Sequence, residues 1–367
     1  MNEKAAGKPI QIPGLGSVAA DSVDAAALGA LLGMAVGDAL GTTYEFARMD
    51  QPAYPILATG PATDVVGGGP FNLTAGQITD DTQMAICLAR SLLHARPIDR
   101  ADLATRYVAW FQHAFDVGNQ TASALKVIEN GGDVATAGRQ VWHQSGRRAA
   151  GNGSLMRTTP IGVAFARAPL AQIVEESLVD SLITHADPRC AIACAVFNAA
   201  IARGVTATER GGDGRAMLAA AKAAMPIAVA KLRELWSDNS EDLVAIERAE
   251  EDLRRDLEVA DDETPGVHRA DMDLQRTAGF VRVAFRLAFW HLCHTGWKEA
   301  LVDTASRGGD ADTNAAIVGA LLGARDGVCP IPAAWIERVL AVEQPGPPEW
   351  AAAHHPRHLL GLGVLRR

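Results

Sequence analysis

The chain contains 367 residues, 48% of them hydrophobic and 21% charged, which is typical of a soluble globular protein large enough to bury a core without cross-links. Its formal net charge of -9 argues against non-specific nucleic-acid binding, which needs clustered Lys and Arg to displace counterions. A nucleic-acid substrate held at a single nucleotide is still compatible with this charge.

The five cysteines form no CxxC pair. Cys190 and Cys194 are one helical turn apart and could be soft-metal ligands, but buried small residues are the favoured interpretation because no matching Cys/His pair is near. Reduced thiols predict a cytoplasmic protein. The N-terminus lacks the apolar core of a signal peptide, and no uncharged apolar run reaches the roughly 18 residues of a membrane span, so no membrane association is expected.

The first part of the chain divides into a tail, a helix and a long loop. Residues 1–21 are rich in Gly, Pro, Ala and Lys and predict a flexible N-terminal extension. From about Asp24 the sequence becomes helical and rich in small residues, which indicates a helix packed closely in the centre of the fold. Residues 50–78 carry many Gly and Pro residues, and a loop of this length in a compact domain is usually functional.

Helices are predicted through the middle of the chain. One starts at the acidic sequence DDTQMA and ends before Pro97, a second covers ADLATRYVAWFQHAF, and a third covers 168–185. Asp187 followed by Pro188 is a strong helix start, with Asp as the N-cap and Pro at the first helical position. That helix is expected to end at Gly204.

The highly charged segment 205–272 differs in composition from the rest. It is typical of solvated amphipathic helices and is interpreted as an insertion in a main domain covering 22–345. Several prolines then indicate a looser C-terminal tail at 346–367. Because no alternating strand pattern stands out, an all-α fold is predicted.

Two acidic clusters lie where a loop becomes a helix, a position that favours anions. Their oxygen-bearing residues are Thr79, Asp80 and Asp81 in the first cluster and Asp310, Asp312 and Thr313 in the second. Such a hard ligand set suits Mg²⁺, Mn²⁺ or Ca²⁺ rather than zinc, and two divalent ions would cancel four converging carboxylates. Alternatively, each cluster is only a helix N-cap. Glycines beside both clusters favour the metal site, because they let backbone approach a ligand closely.

Four further elements are candidates for the same site, although each has an ordinary structural alternative. The Gly-rich turn Gly151, Asn152, Gly153 and Ser154 could hold a phosphate through its backbone N–H groups. Glu45 and Asp116 could act as general acid or base, or could simply be surface or capping residues. His185 could bond a phosphate or a ribose, or be a structural histidine.

Two charged residues are interpreted as supporting residues. Asp38 lies inside a helical run of small residues and is predicted to be structural or to support other site residues. Arg157, in the segment SLMRTT, could clamp a phosphate or pair with a core carboxylate.

Taken together, the segments GMAVGDALGTTYEF, GQITDDTQMA, DVGNQT, GNGSLMR, THADPRCA and SRGGDADTNAAIVGALLGA resemble the ADP-ribosylglycohydrolase family, in the family's order and over roughly residues 26–327. The resemblance implies a single compact orthogonal bundle of helices with a binuclear Mg²⁺ or Mn²⁺ centre. It carries metal ligation onto Thr79, Asp80, Asp81, Asp310, Asp312 and Thr313. It assigns ADP-ribose contacts to the 151–154 loop and to His185, a substrate-gating acid to Glu45 and an acid near the scissile ribose to Asp116.

The resemblance implies hydrolysis of the bond between ribose and a modified protein side chain, with arginine as the favoured acceptor and ADP-ribose as the product. Serine, another ADP-ribose conjugate or a modified nucleic-acid base remain alternatives, because the N-terminal extension and the 205–272 segment could reshape the cleft. A second hypothesis is an immunity or binding protein that blocks an ADP-ribosylating toxin through one of those segments. A third, a non-catalytic structural protein resembling some lens crystallins, is disfavoured by the intact acidic clusters.

Overall fold

The computed structural model describes residues 9–208, 210–212, 214–262, 274–275 and 277–364. Helices dominate these residues, and the two strands found there form one short antiparallel hairpin. The prediction of an all-α fold is therefore confirmed.

The elements follow one another in chain order, with a single 3-10 turn at Thr42–Tyr44. The strands are β1 (Ile10–Ile12) and β2 (Gly16–Val18), and the helices are α1 (Val23–Gly41), α2 (Asp80–His94), α3 (Arg100–Phe111), α4 (Asn119–Glu129), α5 (Ala137–Gln144), α6 (Thr159–Ala164), α7 (Leu170–Thr184), α8 (Pro188–Val205), α9 (Arg215–Leu235), α10 (Ser240–Glu258), α11 (Val281–His294), α12 (Trp297–Ser306), α13 (Ala311–Asp326), α14 (Ala333–Ala341), α15 (Pro348–Ala353) and α16 (Arg357–Gly363).

Helices α1 and α13 form the central pair of the fold and contact each other through small residues. A β-carbon added at Gly33 would lie 2.3 Å from the carbonyl oxygen of Gly319, and one added at Gly37 would lie 2.2 Å from that of Ala315. These distances leave no space for a side chain between the two backbones. The helices run antiparallel, so the C-terminal end of α1 lies beside the N-terminal end of α13, where the second acidic cluster begins.

This packing also explains the apolar character of α1. The span Val23–Tyr44 is long and apolar enough to cross a membrane by length and composition, with a mean hydropathy of 1.6, yet 89% of its most apolar window is buried inside the protein. A core helix covered on all sides is expected to be apolar all round.

Both ends of the described chain are more ordered than predicted. At the N-terminus, β1 and β2 occupy part of the predicted flexible extension, and Ile12 and Val18 are buried in the core. At the C-terminus, the predicted tail instead contains α15 and α16, and α16 packs against α1 and α2. The strands were missed because each has only three residues, too few for an alternating pattern.

The charged segment 205–272 contains α9 and α10, as the helical prediction expected, although residues 263–272 lie outside the described part. Both helices pack against α8. Asp242 of α10 is fully buried and receives hydrogen bonds from Arg139 (2.6 Å), Arg147 (2.8 Å) and His143 (3.0 Å). A buried carboxylate with three partners fixes α10 to α5 and the chain that follows it.

Candidate metal centre and active site

The two acidic clusters meet at the junction of α1, α2 and α13. The Thr313 hydroxyl donates to Oδ2 of Asp81 at 3.2 Å, and the Thr79 hydroxyl lies 3.4 Å from Oδ2 of Asp312. Asp80, Asp81 and Asp312 are buried. The geometry thus brings together residues from two distant parts of the chain, as the sequence predicted.

The N-cap interpretation does not account for these side chains. Thr79 and Asp310 occupy the N-cap positions of α2 and α13, but among the described residues neither side chain accepts a capping hydrogen bond from its own helix. The Thr79 hydroxyl instead lies against Asp312 of the other cluster, and the Asp310 carboxylate accepts a hydrogen bond from Asn152.

Three buried oxygen atoms at this junction have no hydrogen-bond partner among the described residues. They are Oδ1 of Asp81, Oδ1 of Asp312 and Oε2 of Glu45. An unpaired buried polar atom is costly, and a native protein normally satisfies it. Oxygen atoms of this kind are suitable ligands for hard divalent cations, so the residues fit the metal group implied by the family resemblance.

The buried carboxylates of the two clusters also raise one another's pKa values. Burial, followed by repulsion from neighbouring carboxylates, raises the pKa values of Asp80, Asp81 and Asp312 well above the ordinary aspartate value. Burial likewise raises the pKa of Asp310. Without a cation, these groups retain protons at pH values where an exposed aspartate is ionised.

Asp38 holds the first cluster in place, in agreement with its predicted supporting role. It is fully buried in α1 and accepts hydrogen bonds from the backbone N–H and hydroxyl groups of both Thr79 and Thr82. The shortest of these, from the Thr82 hydroxyl, is 2.5 Å. Burial raises the pKa of Asp38 to about 6, although the four donors oppose this rise. The start of α2 is therefore fixed directly to α1.

Two more carboxylates lie against the clusters. One oxygen atom each of Glu45, Asp116 and Asp312 falls within 4.8 Å of the others. Burial, with repulsion from Asp312, raises the pKa of Glu45 to about 11, and burial with repulsion from Asp310 raises that of Asp116 to about 7. The structure thus places both predicted acid or base candidates at the same site.

The loop that carries Glu45 is hydrogen-bonded to the segment before Asp310. The Phe46 N–H donates to the Gly309 carbonyl at 2.7 Å, and the Gly309 N–H donates to the Ala47 carbonyl at 3.1 Å. Gly309 has a φ of +66°, and a β-carbon there would lie 2.1 Å from the carbonyl oxygen of Leu274. Gly309 is therefore required because neighbouring loops approach it closely. The sequence analysis had instead explained this glycine by the close approach of a ligand.

A buried ion pair anchors the continuation of this loop. Arg307 binds Asp303 at 2.7 Å and also donates to the carbonyl oxygens of Pro52 at 2.6 Å and Ile56 at 2.9 Å. Burial opposes ionisation of Asp303, but hydrogen bonds from His291 and Arg307 outweigh it and lower the pKa of Asp303 to about 2. The long loop predicted over 50–78 is thereby attached to α12.

The predicted phosphate-binding turn lines the site with three of its four residues. Asn152 donates to Oδ2 of Asp310 at 2.6 Å, so this side chain supports the second cluster. Gly151 and Gly153 also line the cavity. The Ser154 side chain is fully buried and contacts Ser181 behind the turn. The Ser154 hydroxyl therefore supports the turn and does not face a ligand.

His185 lies beside this turn, at the cavity wall. Its Nδ1 is 2.8 Å from the Thr184 hydroxyl, and burial, together with nearby Arg157, lowers its pKa well below the ordinary histidine value. The ring is thus neutral at pH 7. A β-carbon at Gly153 would lie 2.9 Å from this ring, so the turn approaches His185 closely only because residue 153 is glycine.

Burial decides between the alternative roles of Arg157 and of the two cysteines in α8. Arg157 is fully buried, lies 3.3 Å from Asp180 and stacks 4.6 Å from the centre of the Tyr107 ring, so it pairs with a core carboxylate and does not clamp a phosphate. Cys190 and Cys194 are fully buried within α8, and burial raises the pKa of both thiols. The interpretation of these cysteines as small core residues is confirmed.

The two acidic clusters, the turn at Gly151–Gly153 and His185 line a cavity of about 350 Å³, a size suitable for a small ligand. Sequence reasoning missed eight residues of its lining: Phe46, Gly118, Asn119, Gln120, Thr121, Met156, Ala278 and Gly279. The first six lie within the motifs quoted above, so proximity in sequence was an available signal. Ala278 and Gly279 precede α11 and carried no signal.

Comparison with known proteins agrees with this architecture. The profile of the ADP-ribosylglycohydrolase family matches residues 19–354. The chain is 30% identical to the ADP-ribosylarginine hydrolase Tri1 of Pseudomonas putida over 322 residues, which is 85% of this chain and 74% of that protein. It is 29% identical to the ADP-ribosyl-[dinitrogen reductase] glycohydrolase of Rhodospirillum rubrum, over 87% of this chain and 91% of that protein.

A solved structure described as an ADP-ribosylglycohydrolase-related protein complex has a TM-score of 0.63 and 27% identity, covering 94% of this chain and 99% of that one. The family profile and these relatives place the chain in a class of glycosidic-bond hydrolases. The chain belongs to the ADP-ribosylglycohydrolase family and is an enzyme of that kind.

Proposed function

We propose that this enzyme removes ADP-ribose from arginine side chains of modified proteins, with two Mg²⁺ or Mn²⁺ ions at the acidic site. The observation that carries the proposal is the convergence of the two loop-to-helix clusters around the unpaired oxygen atoms of Asp81 and Asp312. Arginine is favoured because one similar protein is named an ADP-ribosylarginine hydrolase. Since all five cysteines are free thiols, a reducing, cytoplasmic location is also proposed.

The ligands proposed for the ions are the six hydroxyl and carboxylate residues that meet at the junction: Thr79, Asp80, Asp81, Asp310, Asp312 and Thr313. When bound, divalent cations supply the positive charge that neutralises these carboxylates and attracts ribose hydroxyls or phosphate oxygens. Both Mg²⁺ and Mn²⁺ accept an all-oxygen ligand set, so the acidic site is compatible with either.

The residues of the chain itself supply binding and proton transfer. The N–H groups of Gly151 and Asn152 already donate to the Gln120 side chain and to the Gly279 carbonyl. The Gly153 N–H and neutral His185 are therefore proposed to contact the diphosphate. Hydrolysis breaks the bond between ribose C1 and the arginine nitrogen, water adds to C1, and a proton passes to the departing guanidine. Asp116 or Glu45, at the cavity wall, would transfer that proton or stabilise positive charge developing on the sugar.

The decisive experiment uses two substrates, a protein ADP-ribosylated on arginine and a peptide ADP-ribosylated on serine. Each is incubated with the enzyme in Mg²⁺ or Mn²⁺, and again after chelation, while free ADP-ribose is measured. The proposal expects metal-dependent release from arginine. Release from serine alone would change the acceptor, and absence of release from both would refute the proposed substrate.

Variants separate catalysis from mere docking to a partner. Asp312→Asn removes a proposed ligand, whereas Asp50→Asn removes an exposed carboxylate outside the acidic site. The proposal expects loss of ADP-ribose release only in the first variant. A protein that blocks a toxin by docking alone would protect equally well in both forms.

A further inference from the structure

Phe46 stands out among the apolar side chains of the described residues. It is 64% exposed and lines the acidic cavity beside Glu45. The other large hydrophobic side chains with comparable exposure lie away from that cavity: Ile56, Val66, Leu93, Leu235 and Val244. Single exposed hydrophobic residues need no explanation, but an aromatic ring at the wall of a polar active site is a candidate ligand contact.

The backbone at Phe46 holds this ring in place. Its φ is +57°, in the left-handed region that bulky side chains rarely adopt. The conformation is maintained by the hydrogen bond from the Phe46 N–H to the Gly309 carbonyl, next to Asp310. Such conformations persist where surrounding structure fixes them, and they cluster at ligand-binding sites. The position of the ring is therefore coupled to the acidic cluster itself.

The surroundings of the ring favour a cation. Glu45 and Asp116 supply carboxylate oxygens at the same cavity wall, and Asp312 lies within 4.8 Å of both. A guanidinium group is planar, remains charged, and binds carboxylates while stacking on the face of an aromatic ring. Neutral acceptors such as the serine hydroxyl gain nothing from the face of the ring.

We propose that Phe46 is a specificity-determining residue whose ring forms a platform for the guanidinium group of the acceptor arginine. This inference rests on the proposed arginine hydrolase function and adds the residue that selects the acceptor. The competing role is stacking of Phe46 on the adenine ring of ADP-ribose. If the ring stacked on adenine, its loss would weaken the binding of free ADP-ribose. If the ring binds the guanidinium group, its loss would leave that affinity unchanged.

Four variants separate the ring from its backbone. Phe46→Leu keeps an apolar side chain without the aromatic face, and Phe46→Tyr keeps the face. Phe46→Asn removes the ring while tolerating the left-handed backbone. Val66→Ala is the matched control, since Val66 is 56% exposed outside the cavity. For each variant, kcat and KM are measured with ADP-ribosyl-arginine and ADP-ribosyl-serine peptides, and Kd is measured for free ADP-ribose.

Phe46→Leu and Phe46→Asn are expected to lower kcat/KM for the arginine peptide by about 2- to 30-fold, the range spanned by exposed and desolvated cation–π contacts. Phe46→Tyr and Val66→Ala should retain the wild-type value, and Kd for ADP-ribose should not change. A parallel weakening of ADP-ribose binding would overturn the platform in favour of adenine stacking. An equal loss with arginine and serine peptides would also overturn it.

A binding measurement distinguishes failure of this inference from failure of the proposed function. Agmatine, a small guanidinium compound, is titrated into the enzyme with ADP-ribose present. Binding that weakens in Phe46→Leu supports the platform even if arginine peptides are not cleaved, which would refute only the proposed acceptor. If arginine peptides are cleaved and agmatine is bound equally well by the wild type and by Phe46→Leu, the platform is refuted and the arginine hydrolase proposal stays intact.

Discussion

Thr313 donates its hydroxyl hydrogen to Oδ2 of Asp81 over 3.2 Å, although the two residues are 232 positions apart in the chain. The Thr79 hydroxyl lies in turn 3.4 Å from Oδ2 of Asp312. Each cluster thus provides a hydroxyl to a carboxylate of the other. Loss of a carboxylate on either side should therefore disable the whole site.

Replacing Asp312 with Asn should remove the stabilisation that divalent cations give the folded protein. Wild-type stability should rise by about 2.7 kcal/mol when Mn²⁺ is present at about 100 times its Kd. The variant should gain almost nothing, while its metal-free form should unfold at the wild-type temperature or above it, because one of several repelling buried carboxylates is gone. Thermal unfolding with and without Mn²⁺ measures both effects.

Asp50→Asn is the control for this prediction and should respond to Mn²⁺ like the wild type. A response of Asp312→Asn equal to that of the wild type would contradict the proposed ligand set.

Binding of cations should release protons. The pKa values of Asp80, Asp81, Asp312 and Glu45 are raised in the metal-free site, so some of these groups carry protons at neutral pH. A bound cation favours their ionised forms, and apparent affinity should rise as pH rises. Calorimetric titration of Mn²⁺ in two buffers of different ionisation enthalpy measures the protons released. Identical binding enthalpies in both buffers would exclude this linkage.

The Asp38→Asn substitution should weaken cation binding without removing a proposed ligand. Asp38 accepts hydrogen bonds from four donors of Thr79 and Thr82 through its two carboxylate oxygens. The asparagine side chain has only one acceptor oxygen, so it cannot accept all four bonds. Residues that support metal ligands typically contribute 10- to 100-fold in affinity, so roughly this loss is expected. Titration with Mn²⁺ measures it. Unchanged affinity would show that Thr79 keeps its position without Asp38.

The buried pair of Asp303 and Arg307 should make stability depend on pH in acid. The pKa of Asp303 is lowered from 3.8 to about 2 in the folded protein. Its ionised form therefore contributes stability that is fully present above about pH 4 and is lost as the pH falls through about 2. The linked free energy is about 2 kcal/mol, because a tenfold change in proton affinity corresponds to roughly 1.4 kcal/mol.

Urea unfolding at several pH values measures this contribution by comparing the wild type with Asp303→Asn. The stability difference between the two proteins should shrink by about 2 kcal/mol between about pH 4 and about pH 2. Asp64→Asn is the matched control, since Asp64 pairs with Arg338 but is 45% exposed, and exposed pairs contribute little. A constant difference for Asp303→Asn across this range would contradict the linkage.

Much of the helical framework could be predicted from local signals. The start of α8 at Asp187 and Pro188 followed from capping chemistry, and Asp187 does accept a hydrogen bond from the Arg189 N–H. The short strands and α16 were not predictable in this way, because their stability comes from tertiary contacts such as Gly363 against Leu28. Local propensity does not report such contacts.

The candidate site shows the same division. Clustered carboxylates at helix starts were visible in the sequence, and the family resemblance predicted that they would converge. The exposure of Phe46 and the inward orientation of Ser154 depend on how loops pack, and no spacing rule encodes that. Likewise, the glycines near Asp310 were recognised, but their contacts with Ala47 and Leu274 became evident only in three dimensions.

The contact between α1 and α13 sets a limit on how the active site can change. Because backbone meets backbone at Gly33 and Gly37, the separation of these helices is not determined by any replaceable side chain. Asp38 on one helix and Asp312 on the other are therefore held at a fixed spacing that substitutions elsewhere do not adjust. A single methyl group added at one of these glycines would push the two helices apart and so separate the carboxylates of the cluster. Variation in substrate preference is left to the loops, while the cation-binding geometry is inherited from the central helices.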